Sequence, residues 1–414
     1  MNKKQLSVRL HGIQVGILEQ TLSGELCFCY DNSATQALSF SMPLHQQPYH
    51  KKHCDAFFGG LLPESESTKK IIGKKYGISP NNIFSMLREI GHDCAGAVSF
   101  HPLEEPQFEQ SATPLSGRIL SEDELYQHIL ELPKKPLFLG LDDLRLSLAG
   151  VQDKAAVCLI DNQIALPTNG CPTTHILKPA VPGYEAIVEN EYLCLEIASQ
   201  MGLTIPHKEI RRVKNISFLL IERYDRHIQN NLIMRIHQED FCQALGILSQ
   251  RKYQNEGGPG FRECFDLLNN ISQPAVGRTR LASAMVFNFL IGNMDAHGKN
   301  FSLIYPEASQ SSLAPFYDIL CTAIYPELST KLAMKIGNSY QPVEVRPRDW
   351  EKECQKIGYS YPALRKLIQT QGEAIIKALT ANHEFYVEMT KNTLFVKKLS
   401  GFLTRRIEHH ASGF

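Results

Sequence analysis

Short runs in which apolar and polar residues alternate open the chain, at 6–10, 14–18, 26–30 and 37–42, with turn residues such as Asp31, Asn32 and Ser33 between them. Period-two alternation bounded by turn formers predicts an antiparallel sheet. Apolar positions then recur at helical spacing over 65–76 and 80–90, and the first of these helices can start at Ser65, whose hydroxyl accepts from an orphan backbone N–H. A polar stretch from Pro102 to Pro114, carrying Glu104, Glu105 and Pro106, reads as a linker or exposed loop. Helical periodicity returns at 121–132, and strand-like runs follow at 154–161 and 173–178. Residues 184–201 predict a longer helix, with Val188, Tyr192, Leu195, Ala198 and Met201 on one face and Gly202 as its stop. Strands at 207–213 and 217–224 precede a mostly helical remainder beyond Asp240, in which 281–291 is a strong amphipathic stretch. The order predicts an α+β protein with a β-containing unit at 1–105, a β-rich lobe at 120–236 and a helical lobe at 237–414. A cleft between the last two lobes is the expected place for chemistry.

The chain has 414 residues, room for two or three domains, and 43% of them are hydrophobic. Lys+Arg and Asp+Glu are balanced at 43 each, which excludes a histone-like polyanion binder but leaves room for local basic patches. The strongest apolar run, 285–294, is interrupted by Asn288, Gly292 and Asn293, and falls short of the roughly 20 residues a membrane helix needs. Met1, Asn2, Lys3 and Lys4 lead to Arg9 and His11 rather than to an apolar secretory segment, so a soluble cytoplasmic protein without membrane contact is expected. Eleven cysteines without a C-x-x-C pair predict buried free thiols. His45, His50, His53 and Cys54 have zinc-like ligand types but no second paired half, and a His-rich surface turn is the expectation there.

The sharpest chemical signal follows the apolar helix: Gly292, Asn293, Met294, Asp295, Ala296, His297, Gly298, Lys299, Asn300. Phosphoryl transfer needs a carboxylate to receive the attacking hydroxyl's proton and a neutral oxygen ligand for a divalent cation, and the Asp295-to-Asn300 spacing is that of kinase catalytic loops. Downstream, Phe316 and Tyr317 lead to Asp318, placed to be a second magnesium ligand. Upstream, Lys178 ends a strand and Glu191 lies in the next helix, a pairing that positions a cation against nucleotide phosphates. Each of these residues alone is more often a turn acid, a turn amide or a surface charge; their order in one chain is what carries the reading. Ser147, Leu148, Ala149, Gly150, Val151, Gln152, Asp153 and Lys154 form a small glycine-containing turn before a strand, either a phosphate-approaching loop or a plain tight turn. The strand ending in Glu222, Arg223 and Tyr224 leaves the β-rich lobe and is placed to act as a hinge that reads an adenine edge.

These segments together resemble the HipA family of bacterial serine/threonine-protein kinase toxins, as do Gly59, Gly60, Leu61, Leu62, Pro63 and Glu64 and the run from Asp93 to Val98 near the N-terminus. The resemblance implies a two-lobed protein-kinase-like fold with an N-terminal HipA subdomain. It implies Asp295 as catalytic base, and Asn300 and Asp318 as magnesium-side residues. It also implies an ATP site of Ala149, Gly150, Val151, Gln152, Asp153, Lys154, Lys178, Glu222, Arg223, Tyr224, His297, Gly298, Lys299, Asn300, Tyr317 and Asp318, with Ser147 as the autophosphorylated serine. The partners it implies are a helix-turn-helix antitoxin of the HipB kind, operator DNA through that antitoxin, and a protein substrate such as an aminoacyl-tRNA synthetase. A small-molecule kinase on the same fold and a non-catalytic co-repressor scaffold are the alternatives. Lys391, Lys397, Lys398, Arg405 and Arg406 give the tail a basic face, either a phosphate contact or a solvated helix surface.

Overall fold

The computed structural model describes residues 4–105, 112–138, 147, 154–307 and 310–411. Its first sheet is antiparallel, in the order Leu26–Tyr30, Ile13–Gln20, Lys4–Leu10, Val98–His101. Leu6, Val8, Leu18 and Phe28 from this sheet bury against Phe57 and Phe58 of the helix Lys51–Gly60 and Leu87 of the helix Ile83–Ile90. Ser65 caps the helix Glu66–Tyr76 by accepting from Thr68 N at 3.3 Å. The strand expected at 37–42 does not form. Tyr30 Oη accepts from Leu38 N at 2.7 Å and donates to Met42 O at 2.6 Å, while Ser39 Oγ and Phe40 N donate to the Glu239 carboxylate. That backbone is recruited into a turn reaching the helical part of the chain.

The second sheet has six antiparallel strands in the order Lys208–Val213, Ile216–Glu222, His175–Pro179, Ala155–Ile160, Gln163–Pro167, Gly117–Ile119. Leu177, Phe218 and Leu220 share a core with Leu125 and Ile129 of the helix Glu122–Glu131, which begins with a Ser121/Glu124 capping box. Leu219 and Ile221 join the largest core with Val188, Tyr192 and Leu195 of the helix Ile187–Gln200. Because side chains alternate along a strand, Lys178, paired across the ladder with Leu219, falls on the face that meets this helix.

The exit from this sheet is less direct than the sequence suggests. After Glu222 the chain makes a hairpin, Arg226–Gln229 with Leu232–Arg235, whose second strand pairs with Ala112–Pro114 from the expected linker. It then enters His237–Asp240, which pairs with Ser302–Glu307, itself paired with Gln310–Leu313. The sequence reading missed this small sheet because Pro306 demotes the run as a strand. The stretch 281–291 is not amphipathic: apart from half-buried Ser283 it is buried on every side, within the helix Pro274–Ile291. It contacts the long helices Tyr361–Ala381 and Thr393–Ala411, and a helix apolar all round is a core helix.

A buried charge network fastens the first unit to the second. Asp93 accepts from Thr173 N at 3.0 Å, Thr173 Oγ at 2.7 Å and Arg226 Nη2 at 2.7 Å, and Arg223 Nη1 approaches at 3.3 Å. Asp225 pairs with Arg223 at 2.8 Å and accepts from Gly96 N at 2.6 Å. Gly96 sits at φ 76, and a Cβ there would meet Gln238 N at 2.7 Å, so the close approach requires glycine. None of the eleven cysteines is in a disulfide, and nine are buried. His45 and His53 lie against the Tyr49 ring at 4.3 and 5.6 Å.

Candidate active site

Lys178 is buried between two carboxylates, donating to Glu191 Oε1 at 2.6 Å and to Asp318 Oδ1. Glu191 shares a helix face with Val188 and Leu195, so packing of that face delivers the carboxylate to the sheet. Burial alone would push the Lys178 ammonium down, but Asp318 and Glu191 carry it up and keep it charged. Burial likewise opposes ionisation of Asp318, yet Lys178 and Lys154 hold that carboxyl down at about 2. Burial raises Glu191, and Lys178 does not fully offset it. Burial also pushes Lys154 down, although it faces Asp318. Two ammonium groups thus balance two carboxylates at one spot.

Asp318 occupies the left-handed region at φ 52, a costly place for a residue with a Cβ. Its neighbours hold it there. Phe316 N donates to Thr204 O at 2.8 Å, Asn293 Nδ2 donates to Asp318 O at 3.4 Å, and Asn190 brackets Cys321 with bonds of 2.9 and 3.0 Å to its N–H and carbonyl.

The helix Pro274–Ile291 stops at Gly292, at φ 77, and releases the segment that carries Asp295. Asn293 Oδ1 accepts from Asp295 N at 3.1 Å. The Asp295 carbonyl accepts from His297 N at 2.8 Å and Asn300 Nδ2 at 3.0 Å, closing a tight turn. Asp295's side chain is 47% exposed, open to an incoming group, while Tyr253 Oη donates to its Oδ1 at 2.5 Å. Desolvation raises the Asp295 carboxyl, and the Tyr253 hydroxyl opposes that. Burial drives the His297 imidazole down to about 3, so it is neutral. Asn300's amide nitrogen is committed to Asp295, which leaves its carbonyl oxygen as an acceptor beside the Asp318 carboxylate in a recess also lined by Asn293, Ala296 and Tyr317. Hard oxygen donors of this kind fit Mg2+.

Other expected residues lie nearby in different employment. Lys299 is buried and bonded to Asp240 Oδ2 at 2.6 Å and Gly60 O at 3.2 Å, so its ammonium clamps the first unit to the catalytic segment. Arg223 spends its guanidinium on Asp93, Asp225, Thr173 and the Cys94 carbonyl, and offers no side chain to an adenine. Glu222 is exposed at its strand end, with its N–H donating to His207 O at 2.9 Å. Tyr224 stacks on Tyr317 at 5.9 Å, and Tyr317 Oη donates to Lys299 O at 2.8 Å. Gly298 serves close packing, since a Cβ would meet Pro259 Cγ at 2.5 Å and Cys242 Sγ at 2.9 Å. Ser147 is fully buried, its Oγ donating to Leu61 O at 2.7 Å and its N–H to Asp93 O at 3.1 Å. Ala149, Gly150, Val151, Gln152 and Asp153 lie outside the described residues.

Sequence reading missed Tyr253, Lys252 and Glu64 as parts of this site, and named Asn293 in the segment without giving it a role. Lys252 pairs with Glu64 at 2.7 Å beside Lys299. Asn293 was recoverable, because an Asn two residues ahead of an Asp commonly bonds its N–H. No spacing rule links Tyr253 to Asp295 across 42 residues.

The HipA N-terminal domain family matches residues 6–101, and the HipA-like C-terminal domain family matches residues 146–381. A Sinorhizobium fredii protein named "Putative kinase Y4mE" is 38% identical over 413 residues, covering 97% of this chain and 98% of the relative. The serine/threonine-protein kinase toxin HipA of Shewanella oneidensis is 29% identical over 299 residues, covering 69% of this chain and 67% of its own length. A solved complex of Shewanella oneidensis HipA, HipB and operator DNA contains a chain that superposes with a TM-score of 0.85 at 25% identity, covering 98% of this chain and 97% of that one. The fold is therefore the α+β kinase-like fold of that chain, and no helix among the described residues is long and apolar enough to cross a membrane. With matches to both domains of one architecture and a near-full-length relative at 38% identity, the chain belongs to the HipA family.

Proposed function

We propose that this chain is an ATP- and Mg2+-dependent serine/threonine-protein kinase, the toxin of a HipA/HipB-type pair, working in the cytoplasm and phosphorylating itself on Ser147. The observation that carries the reading is Lys178 held between Glu191 and Asp318, with Asp318 lining a recess together with Asn300, whose amide bonds the Asp295 carbonyl. Lys178 and Lys154 attract nucleotide phosphates, and Asn300 and Asp318 would hold Mg2+, which when bound neutralises charge on the transferring phosphoryl group. An acceptor hydroxyl bonds the γ-phosphorus while the bond to the ADP leaving oxygen breaks, and its proton passes to the Asp295 carboxylate. Glu222 and Tyr224 border the adenine, the first through its backbone.

The partners proposed are a helix-turn-helix antitoxin, operator DNA reached through it, and a translation-related protein substrate such as an aminoacyl-tRNA synthetase. The solved relative's complex with HipB and operator DNA supports the first two. The buried Ser147 hydroxyl donates to a carbonyl, a bond that a phosphate carrying roughly −1.5 to −2 charges and no proton to give cannot make. Phosphorylation therefore requires the Ser147 segment to leave its seat and prevents its return. The test is incubation with Mg-ATP followed by intact-mass and peptide mass spectrometry of the parent chain and Asp295→Asn. Phosphate on Ser147 in the parent alone is expected, and full transfer by Asp295→Asn refutes the assignment.

A further inference from the structure

The segment 252–254 is laced to the catalytic turn and to the chain after Asp318. Gly298 N donates to Lys252 O at 3.3 Å, Gln254 N to Ala333 O at 3.1 Å, and Ala333 N to Met294 O at 2.9 Å. Gln254 Oε1 further accepts from Lys335 N at 2.8 Å. Between these ties the Tyr253 ring stands edge-on to His297, with centroids 5.1 Å apart and planes at 84°. A ring fixed in this way aims its hydroxyl, and the hydroxyl meets Asp295 Oδ1 at 2.5 Å. Among the described residues no hydrogen bond is made to Asp295 Oδ2, which lies 3.9 Å from His297 Nε2.

We propose that Tyr253 is a positioning residue for phosphoryl transfer: its hydroxyl clamps Oδ1 of Asp295 and leaves Oδ2 as the oxygen that receives the acceptor's proton. The inference rests on Asp295 being the base. A carboxylate free to rotate offers either oxygen, whereas one pinned at Oδ1 presents the other in a single direction, and fixed geometry is worth large factors in rate. The hydrogen bond also favours the ionised carboxylate, the form a base must have. The other groups facing Asp295 are Lys252, which favours the anion, Asp318 and Glu64, which oppose it, and buried neutral His297. None of these replaces the hydroxyl at Oδ1.

Tyr253→Phe keeps the ring on His297 and removes only the donor. The test separates the rate of Ser147 phosphorylation at saturating Mg-ATP from the half-saturating Mg-ATP concentration, in the parent and in Tyr253→Phe. The saturated rate is expected to fall about ten-fold or more, the scale set by one lost hydrogen bond to a charged group, while the half-saturating concentration stays at the parent's value. Calorimetric ATP affinity should match the parent's, and the thermal midpoint should drop by only a few degrees. A saturated rate in Tyr253→Phe equal to the parent's overturns the clamp. Absence of transfer by the parent itself, with ATP still bound, removes the kinase reading and the clamp's catalytic role with it.

Discussion

Replacing Asp93 with asparagine tests whether the first unit is held by charge. Asp93 lies 2.7 Å from Arg226, 3.3 Å from Arg223 and 3.5 Å from Arg235, and its side chain is 5% exposed. Asp225 also pairs with Arg223 and Arg226, at 2.8 and 3.0 Å. In Asp93→Asn, Arg223 and Arg226 share the Asp225 carboxylate, and Arg235 loses the carboxylate it faces. Removing one partner of a buried ion pair costs about 3–5 kcal/mol, and the lower end applies because the asparagine oxygen still accepts one bond. For a cooperative unit of 150–250 residues, about 3 kcal/mol lowers the thermal midpoint by roughly 10 °C. Differential scanning calorimetry of the whole chain at pH 7 reads this directly. Arg235→Gln in the Asp93→Asn background removes one unpaired charge and should recover part of the loss. The facing arginines hold the Asp93 carboxyl well below the usual range against the cost of burial. Its stabilisation is therefore complete above the unfolded value of about 3.9 and is lost as pH falls below it, so Asp93→Asn should flatten the parent's acid decline. A midpoint shift under 2 °C at pH 7, or a double variant no better than the single, refutes the reasoning.

Gly298→Ala should reduce phosphoryl transfer by ten-fold or more, with a fall of only a few degrees in the thermal midpoint from the overpacking. Its Cβ would meet Pro259 Cγ at 2.5 Å and displace the turn between Asp295 and Asn300; initial rates and a thermal scan together check this. Glu239 supplies the opposite pH dependence to Asp93. Burial raises its carboxyl to about 7, despite donors from Ser39, Tyr305 and Phe40, so the folded chain keeps a proton that the unfolded chain releases near pH 4.3. Folding stability then declines from about pH 4.3 to 7 and levels off, and the midpoint of Glu239→Gln should gain on the parent's across that window. A constant gap between the two from pH 5 to 7.5 counts against the account.

The parts of this fold legible in sequence are those fixed by neighbours along the chain. Ser65 and Ser121 mark their helices because a cap is a three-residue interaction. Lys178, Glu191, Asp295, Asn300 and Asp318 were legible because each sits at the end or on the face of an element whose period is local, and their order is informative. What escaped depends on distant partners. The run 37–42 alternates like a strand, yet Glu239, some 200 residues away, takes its N–H and hydroxyl donors. Arg223 resembles a hinge residue until Asp93, 130 positions earlier, claims its guanidinium. Pro306 hid an edge pairing, and apolar residues on every side made 281–291 a core helix where a one-faced pattern was expected.

The Asp93 network also bears on how the chain is made. Arg223 and Arg226 leave the ribosome 130 and 133 residues after Asp93. At a synthesis rate of roughly 5–20 residues per second, that is a wait of about 7–27 seconds. During it the first unit can assemble its own core of Leu6, Val8, Phe28, Phe57 and Phe58, but the Asp93 carboxylate and the edge around Gly96 lack Arg223, Asp225 and Arg226, the charged partners that close over them. The surface that later seals the first unit against the second is thus completed long after the unit's own core, and a nascent chain stalled before residue 223 would present it to chaperones as a negatively charged seam without its arginines.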